Sequence, residues 1–251
     1  MKHNLKIYGL IGYPLGHSFS KDFFNHKFQD EHISARYLNF ELPDLAGFKD
    51  LFSQYRDLSG LNVTIPYKEK IIPYLDTLDP LAANIGAVNV IKICHSPNGA
   101  LCLKGYNSDI IGFRDSISPL LTPHHEQALV LGTGGASKAV IAALRQLGLT
   151  PTSVSRTPQD NAIAYGDLTP VIMKANTVII NTTPLGMSPH TQSSPHIPYH
   201  LITPEHICYD LVYNPETTLF MQQCAAYGAT VKNGLEMLHL QALAAWNIWN
   251  E

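Results

Sequence analysis

One short stretch constrains the fold more than any other part of the chain. The apolar run Ala128–Leu131 leads directly into Gly132-Thr133-Gly134-Gly135-Ala136. A short, wholly apolar strand is typical of a parallel sheet that is buried on both faces. The residues that follow have helical periodicity as far as Leu147, and Gly148 can end that helix. A strand, a glycine-rich turn and a helix in this order predict a dinucleotide-binding unit, because the amides at the helix N-terminus then face the phosphates.

The residues of this turn have separate expected roles. Gly132 allows the tight turn, and Gly134 lets the backbone approach a pyrophosphate. Gly135 and Ala136 keep the helix close to the sheet. The spacing is a variant of G-x-G-x-x-G, so a purely structural glycine turn stays open as an alternative. A P-loop is excluded because the pattern G-x-x-x-x-G-K-S/T is absent and Lys138 stands in the wrong register.

The end of the next predicted strand, Thr152–Ser155, indicates which dinucleotide binds. NAD-binding units place an Asp or Glu about 20 residues after the turn, where it bonds the ribose 2′-hydroxyl. This chain has Ser155-Arg156-Thr157 there, without a carboxylate. A guanidinium flanked by two hydroxyls suits a 2′-phosphate, because it offers charge together with directional donors. The sequence therefore predicts NADP as the cofactor.

Composition narrows the classes of function. The chain has 251 residues and a net charge of −3, and no Lys/Arg cluster is present, so nucleic-acid binding is disfavoured. No apolar run reaches the roughly 18 residues of a membrane span, and the stretch Met1–Gly16 does not resemble a secretory signal. Four dispersed cysteines fit a reducing compartment, and the 12 histidines lack metal-ligand spacing. We expect a cytoplasmic enzyme without a metal.

The first hundred residues alternate strand-like and helix-like segments. Ser20 is predicted to cap a helix, and a second helix is predicted over Asp44–Tyr55. Strands that are separated by helices predict right-handed crossovers and a largely parallel sheet. The predicted strands are Leu5–Ile11, Arg36–Phe40 and Gly60–Thr64, followed by a hairpin of Val88–Cys94 and Leu101–Lys104 with its turn at Pro97-Asn98-Gly99.

Polar motifs follow these predicted strands, at the edge where open α/β sheets bind ligands. They are Gly12–Ser20, Asn62–Lys68, Gly86–Asn89 and Gly105–Asp109. In this order they resemble the shikimate dehydrogenase family, and the resemblance continues through Asn181–Met187, Asp210–Pro215, Gly234–Leu238 and Gln241-Ala242. It implies a reversible NADPH-dependent reduction of 3-dehydroshikimate to shikimate in aromatic amino-acid biosynthesis.

The resemblance also implies the roles of particular residues. Lys68 matches the catalytic lysine of the family and Asp109 its partner aspartate, while Ser18 and Ser20 match the hydroxyls that hold the substrate carboxylate. A lysine suits this chemistry in its own right, because reduction of a ketone needs a proton donor at the developing oxyanion. Further substrate-contacting positions are Thr64, Asn89, Tyr213 and Gln241, and the cofactor-contacting positions are Gly132, Gly134, Gly135, Ala136, Ser155, Arg156, Thr157, Leu211 and Gly234.

These inferences predict an α/β fold of two domains. An N-terminal, mostly parallel α/β substrate domain comprises residues 1–109 and 236–251, and a Rossmann-like NADP-binding domain comprises residues 110–235. We expect a small-molecule substrate, no nucleic-acid or membrane partner, and a monomer or homodimer. Two alternatives stay open: a quinate/shikimate dehydrogenase that uses NAD, which usually has an acidic residue where Arg156 stands, and a non-catalytic ligand sensor on the same scaffold.

Overall fold

The computed structural model describes residues 5–16, 18–95, 100–157 and 162–251. The chain forms two compact units, of which the first comprises residues 1–108 with 242–251 and the second residues 109–241. The predicted hairpin turn Pro97-Asn98-Gly99 and His17, which follows Gly16 in the first polar motif, lie outside the described residues.

The first unit contains a mixed six-stranded sheet in the order β2-β1-β3-β5-β6-β4. Strand β1 pairs in parallel with β2 and β3, and β4 pairs in parallel with β6, whereas β5 is antiparallel to β3 and β6. The predicted hairpin is confirmed, and its antiparallel strand makes the sheet mixed. The elements are β1 (Lys6–Gly12), α1 (Phe19–Asp30), β2 (Ala35–Glu41), α2 (Asp50–Gln54), β3 (Leu58–Val63), β4 (Thr77–Leu78), α3 (Pro80–Ile85), β5 (Val90–His95) and β6 (Leu101–Tyr106).

Two sequence predictions are wrong in detail. The single helix predicted over Asp44–Tyr55 is a short 3₁₀ turn, Ala46–Phe48, followed by the five-residue α2. The Asp44 carboxylate accepts a bond of 2.8 Å from the Ala46 amide, a local side-chain bond that competes with a regular helix. Helix α1 is capped by Ser18 rather than Ser20, since the Ser18 hydroxyl accepts from the Lys21 amide.

The final helix, α8 (Leu235–Asn250), contributes its last turns to the core of the first unit. Trp249 packs against Tyr8 with ring centroids 4.8 Å apart, and its indole N–H donates to the Ile91 carbonyl over 3.1 Å. A side chain at Gly60 would meet the indole at 2.5 Å, so only glycine allows this approach. The aromatic cluster on this face of the sheet also includes Phe24, Phe28 and Tyr37.

The second unit is a wholly parallel sheet in the order β9-β8-β7-β10-β11-β12. This is the strand order 3-2-1-4-5-6 of doubly wound dinucleotide-binding folds, so β7 and β10 form the point where the order reverses. The elements are α4 (Asp109–Ile117), β7 (Gln127–Leu131), α5 (Gly135–Gln146), β8 (Thr150–Ser155), β9 (Ala162–Ala164), α6 (Pro170–Ala175), β10 (Val178–Asn181), β11 (Ile207–Asp210), α7 (Leu219–Ala225) and β12 (Thr230–Lys232).

The central strands of the second unit consist mainly of apolar residues because they form its buried core. Leu129, Ile179 and Cys208 are fully buried on neighbouring strands, as expected where helices cover both faces of a sheet. Helix α5 buries Ala139, Val140, Ala143 and Leu144, which recur at helical spacing on one face. Among the helices of the described residues, none is long and apolar enough to cross a membrane.

Two Thr-x-x-His segments precede strands of this sheet, and in each the threonine amide bonds the ring of a buried histidine. The Thr122 amide donates to His125 Nδ1 over 3.0 Å, which leaves Nε2 to carry the ring proton toward the Glu205 carbonyl, 3.3 Å away. In the same way, the Thr203 amide donates to His206 Nδ1 over 3.1 Å. Burial lowers the pKa of His125, and a second proton on its ring would break the bond from the Thr122 amide.

We therefore expect His125 to make the second unit sensitive to acid. The folded pKa lies below the ~6.5 of an unfolded histidine, so the unfolded chain binds more protons as the pH falls below that value, and stability is lost. His125→Asn keeps an acceptor without a titrating ring, and the melting temperature of this variant should fall less steeply than wild type between about pH 7.5 and 5. The exposed His200 supplies the control His200→Asn, which should follow wild type; equal slopes for all three proteins would contradict the expectation.

Candidate active site

The glycine-rich turn leaves open space in front of helix α5. Gly132 has φ 107°, and a Cβ there would lie 2.9 Å from the Thr182 hydroxyl, so glycine is required. Gly134 is the N-cap of α5 and supplies no side-chain cap. Apart from the chain neighbours and the backbone of helix α5 itself, no heavy atom of the described residues lies within 4 Å of where a Cβ would stand on Gly134 or Gly135. The turn and helix N-terminus thus fit the pyrophosphate of a dinucleotide.

The residues predicted to select NADP lie beside this turn. The Gly132 amide donates to the Val154 carbonyl over 2.8 Å, which fixes the end of β8 next to the turn. Arg156 and Thr157 follow β8 and are exposed. Tyr165 is an additional residue that the sequence did not single out: burial raises its pKa, and the nearby Arg156 guanidinium partly offsets that rise. The structure therefore adds an aromatic side chain to the surroundings of Arg156.

Two other predicted cofactor positions pack directly on one another. Gly234 lies against the Leu211 carbonyl so closely that a Cβ would overlap it. The Gly234 amide donates to the Val212 carbonyl over 3.2 Å, which joins the loop after β11 to the start of α8. Tyr213, the predicted substrate-side tyrosine, follows on this loop and is 42% exposed.

In the first unit, backbone bonds fix the segment that carries Thr64 and Lys68. The Thr64 amide donates to the Ile11 carbonyl over 2.8 Å, which ties the end of β3 to the end of β1. The Val88 amide donates to the Lys68 carbonyl over 2.7 Å, so the segment before β5 lies beside Lys68. The Lys68 side chain is half-buried. Two of the polar motifs recognised in the sequence are thus adjacent.

A buried network connects Ser20 with Asn89. Burial raises the pKa of the Tyr37 phenol far above its usual value, and a hydrogen bond with Ser20 opposes that rise. The Tyr37 hydroxyl donates to Asn62 Oδ1 over 2.7 Å, and Asn62 Nδ2 donates to the Asn89 carbonyl over 3.2 Å. Tyr37 was missed in the sequence analysis, although a polar Asn62 inside a buried strand was a signal for such a network.

Asn89 also fixes the chain just before Asp109. Asn89 Oδ1 accepts from the Ser108 amide over 2.7 Å, and Asn89 Nδ2 donates to the Ser108 hydroxyl over 3.1 Å. Asp109 is the first residue of α4 and is 8% exposed. Gly112 of the same helix packs against Gln241 of α8, where a Cβ would lie 2.8 Å from the Gln241 Cβ. Asp109 and Gln241 therefore lie on adjoining helices of the second unit.

The described residues contain no group of three or more His, Cys, Asp or Glu side chains that could hold a metal ion. The predicted site residues of the first unit offer amides, hydroxyls and the Lys68 ammonium, a set that suits an anionic, hydroxylated ligand. Those of the second unit include backbone amides and the Arg156 guanidinium, which suit a phosphorylated dinucleotide.

Known proteins that are similar to this chain are shikimate dehydrogenases, and the curated relatives match nearly its whole length. The family model of the shikimate dehydrogenase substrate binding domain matches residues 10–91. A shikimate dehydrogenase (NADP(+)) of Halothermothrix orenii is 37% identical, covering 98% of this chain and 91% of that protein. The protein of the same name from Desulforamulus reducens is 34% identical, covering 97% and 89%.

Solved structures agree. Shikimate 5-dehydrogenase from Thermus thermophilus, in complex with NADP(H) and shikimate, superposes with a TM-score of 0.84 at 31% identity, covering 97% of this chain and 93% of that one. The enzyme from Aquifex aeolicus superposes with a TM-score of 0.84 at 34% identity, covering 100% and 94%. With identities above 30% across almost the full length of both sequences, this chain belongs to the shikimate dehydrogenase family.

Proposed function

We propose that this chain is an NADP-dependent shikimate dehydrogenase, which catalyses the reversible reduction of 3-dehydroshikimate to shikimate. The match along nearly the whole chain to enzymes named shikimate dehydrogenase (NADP(+)) carries the proposal. The open helix N-terminus after Gly132 and the guanidinium of Arg156 after β8 support NADP as the cofactor.

The reaction assigns separate tasks to the residues of this chain. The nicotinamide, when bound, supplies the two-electron redox step. Lys68 donates a proton to the carbonyl oxygen of 3-dehydroshikimate as negative charge builds there, and removes the alcohol proton in the reverse direction. Asp109 orients that ammonium and binds a neighbouring hydroxyl of the substrate. Ser18 and Ser20 hold the substrate carboxylate, while Thr64, Asn89, Tyr213 and Gln241 contact the rest of the substrate.

The proposed division of labour follows the predicted domains. Residues 1–109 with 236–251 bind the substrate, which is supported by the match of a substrate-binding family model to residues 10–91. Residues 110–235 bind NADP, which is supported by the parallel sheet with dinucleotide-binding strand order. Gly132, Gly134, Gly135 and Ala136 contact the pyrophosphate, and Arg156 with Ser155 and Thr157 contacts the 2′-phosphate.

The two alternative functions receive less support. An NAD-linked quinate/shikimate dehydrogenase usually has an acidic residue where Arg156 stands, and the curated relatives carry NADP(+) in their names. A non-catalytic sensor would have lost the acid/base residues or gained a DNA-binding segment, whereas Lys68 and Asp109 are both present.

A direct assay tests the proposal. The purified chain should reduce NADP in the presence of shikimate, which is followed by the absorbance of the reduced nicotinamide. Quinate in place of shikimate, and NAD in place of NADP, separate the alternatives. Absence of any shikimate-dependent signal would overturn the enzymatic function. Light scattering of the same sample determines whether the chain is a monomer or a homodimer, the two states that we propose.

A further inference from the structure

Asn181 and Asp210 form a buried polar pair at the carboxyl ends of the neighbouring strands β10 and β11. They are register partners in the parallel sheet, and both are 0% exposed. Asn181 Nδ2 donates to Asp210 Oδ1 over 2.9 Å. A carboxylate is costly to bury unless its oxygens are well satisfied by hydrogen bonds. The position of Asp210 in the sheet therefore calls for a reason beyond packing.

The carboxylate of Asp210 ties together the two segments that follow β11. Its Oδ1 also accepts from the Val212 amide over 3.0 Å, and its Oδ2 accepts from the Thr218 hydroxyl over 2.6 Å. Thr218 is the N-cap of α7, where its hydroxyl accepts from the Met221 amide over 3.3 Å. One carboxylate thus fixes both the loop that carries Leu211 and the start of α7.

Asn181 fixes the loop after β10 in the same manner. Its Oδ1 accepts from the Thr183 amide over 3.0 Å and from the Thr183 hydroxyl over 2.6 Å. The preceding residue, Thr182, bonds the Leu131 carbonyl through its amide and its hydroxyl and fills the space beside Gly132. The Asn181 side chain therefore holds a loop that presses against the glycine-rich turn.

The pair connects three predicted cofactor positions. On one side, Asn181 bonds the Thr183 amide and so holds the loop that packs beside Gly132. On the other side, Asp210 bonds the amide of Val212, which follows Leu211 and whose carbonyl accepts from the Gly234 amide. We propose that Asp210, together with Asn181, is a positioning residue that holds the glycine-rich turn, Leu211 and Gly234 in the arrangement that binds the dinucleotide. This inference rests on the proposed function for its ligand, but binding of NADP can be measured without turnover.

The charge of Asp210 makes this role dependent on pH. Burial raises the pKa of Asp210 to about 6, while the hydrogen bonds from Thr218, Val212 and Asn181 oppose the rise. Protonation below that pH removes the charge that strengthens all three bonds, so affinity for NADP should fall. Tyr199 faces Asp210 from the segment before β11, and burial raises the pKa of its phenol, so that it stays neutral. The thiols of Cys208 and Cys224 lie around Tyr199, and their mutual hydrogen bond raises the pKa of Cys208.

Calorimetric titration of NADP against the intact chain between about pH 5 and 8 tests the proposal. At pH 7.5 we expect Asp210→Asn to bind NADP about tenfold more weakly than wild type. The affinity of this variant for NADP should also fall less than that of wild type as the pH is lowered, because the variant has no carboxyl group to protonate at position 210. Because the 2′-phosphate of NADP itself titrates near pH 6, the contribution of Asp210 is taken as the difference between wild type and variant.

Substitutions of Thr218, with a matched control, provide a second test of the role of Asp210. Loss of the Thr218 hydroxyl removes a bond that lowers the pKa of Asp210, so the acid midpoint of NADP binding should move to higher pH; Thr218→Ser should restore it. The control is Thr169→Val, which removes the exposed N-cap of α6 without touching Asp210. If Thr218 only stabilised the start of α7, Thr218→Val would lower the melting temperature, as Thr169→Val is expected to do through α6, and would leave the acid midpoint of NADP binding unchanged.

Two results would overturn the positioning role. One is a folded Asp210→Asn variant that binds NADP as tightly as wild type; the other is a Thr218→Val variant whose affinity and midpoint match wild type, a result that decides the matter even if Asp210→Asn does not fold. Failure of the proposed function is a separate outcome, since it would show as NADP binding without shikimate-dependent turnover.

Discussion

With shikimate and NADP saturating, Lys68→Ala is expected to lower kcat by a factor on the order of 10³, the usual contribution of a positioned acid/base group. The physical reason is that the developing charge on the substrate oxygen would lose its proton donor, and water is a poor substitute at neutral pH. KM for NADP should change little, because Lys68 lies on the segment after β3 and the predicted cofactor positions lie in the second unit.

The neighbouring Lys70 supplies a matched control for this experiment. It is exposed, belongs to the same charged stretch, and Lys70→Ala removes the same charge. We expect this variant to keep kcat within about twofold of wild type, as for an ordinary surface substitution. Ordinary turnover by Lys68→Ala at saturating substrate would rule out the lysine as the acid/base group and move that role to another residue.

The second large effect concerns the choice of dinucleotide. Arg156→Ala should lower kcat/KM for NADP by about tenfold to a hundredfold, since a charge-assisted bond to phosphate contributes roughly 1.5–3 kcal/mol. The value for NAD should stay within about twofold, because NAD has no 2′-phosphate to lose. Initial rates with both dinucleotides at fixed shikimate measure the ratio of the two values directly.

Arg145→Ala is the appropriate comparison for this variant. Arg145 is exposed in the last turn of α5, at the far end of that helix from the glycine-rich turn. Its substitution by alanine removes an equal charge from the same unit. A parallel loss of NADP efficiency in both variants would point to general electrostatic attraction rather than to a specific contact. Equal efficiency of wild type with NADP and NAD would contradict the role given to Arg156.

Local patterns were sufficient to predict the strand, turn and helix that begin the nucleotide-binding sheet. The strand, turn and helix around Gly132 lie within one short segment, so apolar periodicity and glycine spacing describe them completely. The helix predicted over Asp44–Tyr55 was wrong because apolar spacing alone does not register the bond that the Asp44 carboxylate accepts from the Ala46 amide. Serine is a favourable N-cap residue, so the sequence does not distinguish Ser18 from Ser20. In the structure Ser18 caps the helix, whereas the Ser20 side chain bonds Tyr37.

Contacts between distant segments set the limit of such predictions. Asn181 and Asp210 are 29 residues apart and meet only through the register of two parallel strands. The short edge strands β4, β9 and β12 have two or three residues each, and no sequence period is visible over so few positions. Tyr37 became recognisable as part of the network around Asn89 only when the neighbouring strands were in place.

The placement of residues 242–251 in the first unit has a consequence for biosynthesis. During translation, the segment that carries Trp249 emerges only after every residue of the second unit, 109–241, has been made. Until then the aromatic cluster around Tyr8 and Phe24 lacks the indoles of both Trp246 and Trp249, and the close contact of Trp249 with Gly60 cannot form. The core of the first unit can therefore be completed only after the whole of the second unit has been synthesised.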